Sequence, residues 1–202
     1  MRNSNSGKVI LLVTIGSLML VGCSENSTGP VNGDEPQQEE LNHSWSALFG
    51  DEAKQVGYDI EAGPSGNVFI TGSLWGTVDF GGGALTSSGR DDLFVAAFGP
   101  DGTHLWSRSF GDGGSQEMAH VTVDSSGNVI LAGRFNDSVD FGGGALTSAG
   151  MTALFVAKFT PGGTHLWSRR FGDGGPQLAC YAAADGSGNV LLAGRFYGTT
   201  DF

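Results

Sequence analysis

Beyond residue 42 the apolar residues fall into short runs separated by connectors rich in Gly, Asp and Ser. Around the middle of the chain four such runs stand out, at Glu117–Val123, Asn128–Phe135, Ala153–Phe159 and His165–Phe171. Their lengths predict strands rather than helices, and 35 glycines in 202 residues weigh against helix throughout. Asp124-Ser125-Ser126-Gly127 joins the first two runs and Thr160-Pro161-Gly162-Gly163-Thr164 the last two. Each connector has Asp or Pro early and Gly late, the chemistry of a type I turn closed by a left-handed glycine. Two hairpins in succession predict an antiparallel four-stranded meander. The connection from Asn136 to Thr152 is longer and predicts a protruding loop with one short extra strand.

The two middle runs are apolar at odd and even positions alike. Val129 and Leu131 oppose Ile130 and Ala132, and Phe155, Ala157 and Phe159 oppose Leu154 and Val156. A sheet with one wet face alternates apolar with polar, so these strands predict a sheet covered on both sides. The cover is supplied by repetition. Trp45, Trp106 and Trp167 are each 61 residues apart, as are Phe49, Phe110 and Phe171, and Asn67, Asn128 and Asn189. Residues 104–141 and 165–202 share 23 of 38 positions without a gap. A fixed period of this kind means copies of one structural unit stacked on one another.

The strings VTVDSSGNVILAGRF and LFVAKFTPGGTHLWSRRFG resemble the SBBP-type bacterial β-propeller repeat, and more distantly NHL repeats. The resemblance covers residues 43–202 and implies an all-β fold of β-propeller-type repeats, about four antiparallel strands each. It implies no activity, because propellers carry unrelated functions. Counted from the inner strand, the chain holds two full blades and part of a third, and HSWSALF at 43–49 is a fourth-strand sequence without its own preceding three. Propellers close with about four to eight blades, so the array is expected to be incomplete. That predicts either a piece of a longer product or edge-to-edge self-association through exposed strands.

The first 42 residues have a different pattern. Arg2 and Lys8 precede VILLVTIGSLMLV, thirteen residues from Val9 to Val21 without a charge. That is the layout of a secretory signal over residues 1–22. A bilayer-spanning helix needs about 20 apolar residues. Leu20-Val21-Gly22-Cys23 at its end resembles the bacterial lipobox. The resemblance implies cleavage after Gly22, lipidation of Cys23 and a membrane anchor. Ser24, rather than Asp, after the cysteine implies the cell outer membrane. More than one acyl chain, at about 0.8 kcal/mol per buried CH₂, makes a stable anchor. Residues 24–42 carry five acids and no aromatic, so the segment 23–42 is expected to be a lipid-anchored disordered tether. A flexible coil of that length reaches about 25 Å.

Charge and cysteine content narrow the classes further. Removal of residues 1–22 leaves 8 basic against 21 acidic residues, a net of −13. Nucleic acid is excluded as a partner, because phosphate binding needs clustered Lys and Arg. With Cys23 acylated, Cys180 has no disulfide partner, and it reads as a small buried side chain.

Candidate chemistry is sparse. His43, His104 and His165 share one repeat position, which reports blade geometry rather than a metal centre. His120, whose counterparts are Asp59 and Tyr181, falls near a central channel and is the histidine to test. Asp79-Phe80-Gly81 and Asp140-Phe141-Gly142 lack the companion motifs of a kinase. Asp51, Asp112 and Asp173, with Asp79, Asp140 and Asp201, lie in loops. Asp112, Asp173 and Asp140 are the calcium candidates, although calcium takes six to eight oxygens and no EF-hand pattern is present. Asp101 to Trp106 is faintly similar to the tryptophan-docking motif of quinoprotein propellers, where the tryptophan locks blades together. Trp45, Trp106 and Trp167 are therefore read as inter-blade packing residues. No nucleophile, base and oxyanion set assembles and no cofactor signature appears, so neither a catalytic role nor a cofactor is expected. The expected function is a non-catalytic interaction or scaffold module, contacting a protein or glycan through loops such as Leu74–Val78 and Asn136–Val139. The alternative is a periplasmic or surface enzyme using a propeller channel.

Overall fold

The structure is a computed structural model that describes residues 8–14, 18–25, 41–172, 175, 177, 179–195 and 197. Every helix or strand among them is a strand. The chain begins with β1 (Lys8–Thr14), β2 (Leu18–Glu25) and β3 (Leu41–Phe49), which form an antiparallel sheet in that order. The first full blade follows: β4 (Gln55–Ala62) and β5 (Val68–Leu74), the short hairpin β6 (Thr77–Asp79) and β7 (Ala84–Thr86), then β8 (Asp92–Phe98) and β9 (His104–Phe110). The second repeats it with β10 (Gln116–Val123), β11 (Val129–Phe135), β12 (Ser138–Asp140), β13 (Ala145–Thr147), β14 (Ala153–Phe159) and β15 (His165–Phe171). A third unit contributes β16 (Ala179–Ala184) and β17 (Val190–Arg195). Each full blade is a four-stranded meander, ordered β4-β5-β8-β9 and β10-β11-β14-β15. The long connection holds a two-stranded hairpin where the sequence predicted a single extra strand.

Turn chemistry fixes the meander. In the β10–β11 turn, Ser126 and Asn128 amides donate to Asp124 Oδ1, the Asn128 side chain donates to Asp124 Oδ2, and Gly127 has φ of 81°. Asp185 and Asn189 repeat the arrangement between β16 and β17.

Successive residues of the middle strands enter different cores. Val68 and Ile70 of β5, with Phe94, Ala96 and Phe98 of β8, face β3 and pack with Trp45 and Phe49. Phe69, Leu93, Val95 and Ala97 face the other way, into a core shared with Val121, Val129, Leu131 and Phe155 of the next blade. Ile130, Ala132, Leu154 and Val156 meet Ala182, Val190 and Leu192 of the third unit, with Trp167 of β15 packed beside them. Each large side chain buried this way contributes about 1.5–3 kcal/mol, a contribution that needs the neighbouring unit. In the third unit Val190 and Leu192 are packed on the second blade, whereas Leu191, which points the other way, is 54% exposed. The sheets do not close into a ring among the described residues.

The N-terminal sheet copies the blades in register. Gly22 faces Trp45 as Ala97 faces Trp106 and Lys158 faces Trp167, and each pairing is followed by a register shift before the histidine. Val9 faces Cys23 as Val68 faces Phe98 and Val129 faces Phe159. The apolar stretch read as a signal thus occupies the second- and third-strand places of a blade whose fourth strand is β3. Of the tether, 23–25 lie in β2 and 41–42 in β3, while 26–40 lie outside the described residues.

Candidate functional site

The rim tryptophans sit at unit boundaries. Trp106, on outer strand β9, donates its Nε1–H to the Pro161 carbonyl in the next blade at 2.8 Å. Its ring lies flat on Gly163, where a Cβ would approach to 2.7 Å and φ is +79°. Trp45 lies on Gly102 in the same manner, 6.0 Å from the Phe98 ring centre. Trp167 packs on the third core. Glycine is required in these hairpins both for the left-handed backbone and for the indole above it.

The recurring histidines brace their own blades. His104 Nε2 is 3.1 Å from Ser107 Oγ, and His165 Nε2 is 3.1 Å from Ser168 Oγ. Each imidazole covers a glycine of the preceding loop: a Cβ on Gly82 would stand 2.2 Å from His104 and one on Gly143 2.4 Å from His165. The His43 side chain and Asp201 lie outside the described residues.

The loop carboxylates are occupied by amides. Asp140 Oδ1 accepts from Gly142 and Gly144, as Asp79 Oδ1 does from Gly81 and Gly83. Those two amides, Gly81's first, hold the Asp79 carboxyl below its ordinary value. Asp112 accepts the Gly114 amide on Oδ1 and the Ser138 amide on Oδ2, with Gln116 Nε2 at 3.4 Å. Asp51 does the same with Ala53, Thr77 and Gln55. The Gln55 side chain, then the Ala53 amide, lowers the Asp51 carboxyl. Each pair ties the loop entering a blade to the loop after that blade's second strand. Asp173 lies outside the described residues, but Gln177 donates to the Gly175 and Tyr197 carbonyls. The glutamine partners escaped the sequence reading, although Gln55, Gln116 and Gln177 recur at the 61-residue period. Among the described residues no three His, Cys, Asp or Glu side chains converge on one centre.

The recognition loops are narrower than expected. Leu74, Val78 and Val139 are buried, so the ends of both predicted segments belong to the core. What faces outward is Trp75, 54% exposed, and Asn136 with Asp137, whose φ is 59°. Tyr197, also exposed, holds the third copy of the Trp75 position, with the Arg195 guanidinium 5.0 Å from its ring centre. A cleft of about 130 Å³ lined by Ser115, Arg134, Asn136 and Thr152 opens beside them.

At the opposite radius, first strands β4, β10 and β16 lie side by side. They bring Asp59, His120 and Tyr181 into one row. Asp59 Oδ2 is 3.3 Å from His120 Nδ1, and the His120 and Tyr181 ring centres are 4.2 Å apart. Asp59 is itself held by the Ile60 amide on Oδ1 and the Val121 amide on Oδ2. Burial, then the Asp59 charge, pushes the nearby Glu61 carboxyl up.

No family model matches the chain. It is 24% identical over 129 residues to an uncharacterized WD repeat-containing protein of Acanthamoeba polyphaga mimivirus, a match covering 57% of this chain. The chain spans 9% of the length of that curated relative. Stacked four-stranded meanders, boundary tryptophans and this likeness define a β-propeller-type repeat protein.

Proposed function

We propose that the protein is an extracytoplasmic bacterial lipoprotein of SBBP type, anchored to the outer membrane through Cys23, whose repeat array is a non-catalytic interaction module. The observation that carries the interaction role is a stacked frame presenting exposed Trp75 and Tyr197 at one repeat position, with the Asp51–Gln55 pair fastening the loop at the first and Gln177 holding the Tyr197 carbonyl at the second. Loops held on a rigid frame are where recognition concentrates, and the WD-repeat likeness fits the same role. The anchoring role rests on the charged start, the apolar run and Leu20-Val21-Gly22-Cys23.

Mass spectrometry of the membrane-extracted protein tests the anchor. A mature N-terminus at Cys23 bearing acyl groups is expected, with Cys23→Ser accumulating unprocessed and unlipidated. A wild-type chain that keeps Met1, or a bare Cys23, removes the anchor. For the interaction role, in-cell cross-linking should yield a discrete adduct that the Trp75→Ala/Tyr197→Ala pair loses while its folding midpoint is kept. An adduct indifferent to that pair removes the loop surface.

A further inference from the structure

The row at the hub differs from the rim. At the rim one residue recurs in every copy, as Trp45, Trp106 and Trp167 do. The hub position reads Asp, His and Tyr, and the three side chains touch across three units. Three different functional groups in contact, each partly open to solvent, can present a carboxylate, an imidazole and a ring face to one ligand. We propose that Asp59, His120 and Tyr181 bind a neutral polyhydroxylated ring, a sugar unit of a glycan.

The chemistry follows from the contacts. Asp59, locked by two backbone amides, receives the proton on His120 Nδ1 and so fixes the imidazole orientation. In the tautomer that donates Nδ1–H to Asp59, His120 Nε2 is the ring's acceptor for a ligand hydroxyl. Tyr181, 50% exposed, offers a flat apolar platform with a polar tip, matched to the C–H face and hydroxyl edge of a pyranose. Asp59 and Glu61, two apart on β4, make the surroundings acidic and disfavour phosphorylated or uronic sugars. A metal cation is disfavoured too, because both Asp59 oxygens already accept amide protons.

The inference deepens the interaction reading, which it presupposes, but uses different residues from the loop surface. Its test is long-range ¹H–¹⁵N spectroscopy of the imidazoles in the detergent-extracted full chain, titrated with maltotetraose, cellotetraose and chitotetraose. At least one should move the His120 ring signals while His104 and His165, tied to serines on the outer strands, stay still. Tyr181→Ala should weaken that binding about tenfold and Tyr181→Phe by less than about threefold. If none of the three moves His120, or if oligogalacturonate or an extended peptide moves it as strongly, the proposal is overturned. Trp75→Ala, which probes the loop surface, should leave the titration unchanged, so the two readings can fail separately.

Discussion

At the rim of the array, successive units carry the same residue in the same place; at the hub they carry different ones in contact. Trp45 and Trp106 each rest on a left-handed glycine of the next hairpin, because the boundary they seal has the same shape each time. Asp59, His120 and Tyr181 occupy equivalent places on β4, β10 and β16 and yet form an ordered pair and a stacked ring. The rim seal is repeated residue for residue, whereas the first strands change residue from unit to unit. On the proposed reading the rim carries stability and the hub recognition.

The rim should show the largest effect. Trp106→Ala removes an indole between two units and is expected to cost about 3–5 kcal/mol, read by chemical denaturation. Gly163→Ala places a methyl against the same ring, in a backbone region that L residues avoid, and should cost about 1–3 kcal/mol. Because both changes act on one contact, the double variant should cost less than their sum. Full additivity would mean that the indole and the hairpin do not share an interface.

A smaller effect is expected inside the second blade. Asp124 is almost fully buried and lies 2.9 Å from Lys158. Burial alone would push its carboxyl up. Lys158, the Asn128 side chain, and the Asn128 and Ser126 amides outweigh burial and bring it down to about 2. A carboxyl lower in the folded than in the unfolded chain stabilises fully above its unfolded value of 3.8 and loses that contribution as the pH falls through about 2. The stake is about 2 kcal/mol. Lys158→Met should shrink the acid-induced loss, and a carboxyl ¹³C titration should place Asp124 below Asp185, which has no described lysine partner. Equal titration of the two would remove the lysine from the account.

The N-terminal strands extend the comparison to β3. β2 gives β3 a neighbour in blade register, and the proposed cleavage before Cys23 would remove all of that neighbour but residues 23–25. Hydrogen exchange of the 41–49 peptide should accelerate in Val21→Pro full-length chain, since proline cannot serve as a central-strand donor, while exchange in β8 stays unchanged. Unaltered exchange would show that β3 does not depend on β2.

Much of the architecture was legible because strand alternation and a 61-residue period act together. A run such as Val129–Phe135, apolar on both faces, announces its own double cover. The N-terminal apolar run was not legible as strands. An apolar run lacks periodicity, so VILLVTIGSLMLV suits a signal and a buried hairpin equally. The Asp–Gln fastenings were missed because a loop aspartate looks solvated until its amide donors are known. Repeat arithmetic paired His120 with Asp59 and Tyr181, but only the adjacency of β4, β10 and β16 turns three equivalent positions into a contact.

The smallest expected effect decides whether the rim and hub differ in kind. Tyr181 is half exposed and packs on His120 alone among the described ring contacts. A surface substitution outside any buried network changes stability by about 0.5 kcal/mol or less, so Tyr181→Ala should leave the denaturation midpoint nearly unmoved. His120→Ala should cost little more, because Asp59 keeps the Ile60 and Val121 amides as partners. If either change cost as much as Trp106→Ala, the hub would be a second structural seam, its three residues a fitted contact rather than a surface kept open for a ligand. Sugar binding lost in variants that unfold at the wild-type midpoint would instead place the two regions in separate roles.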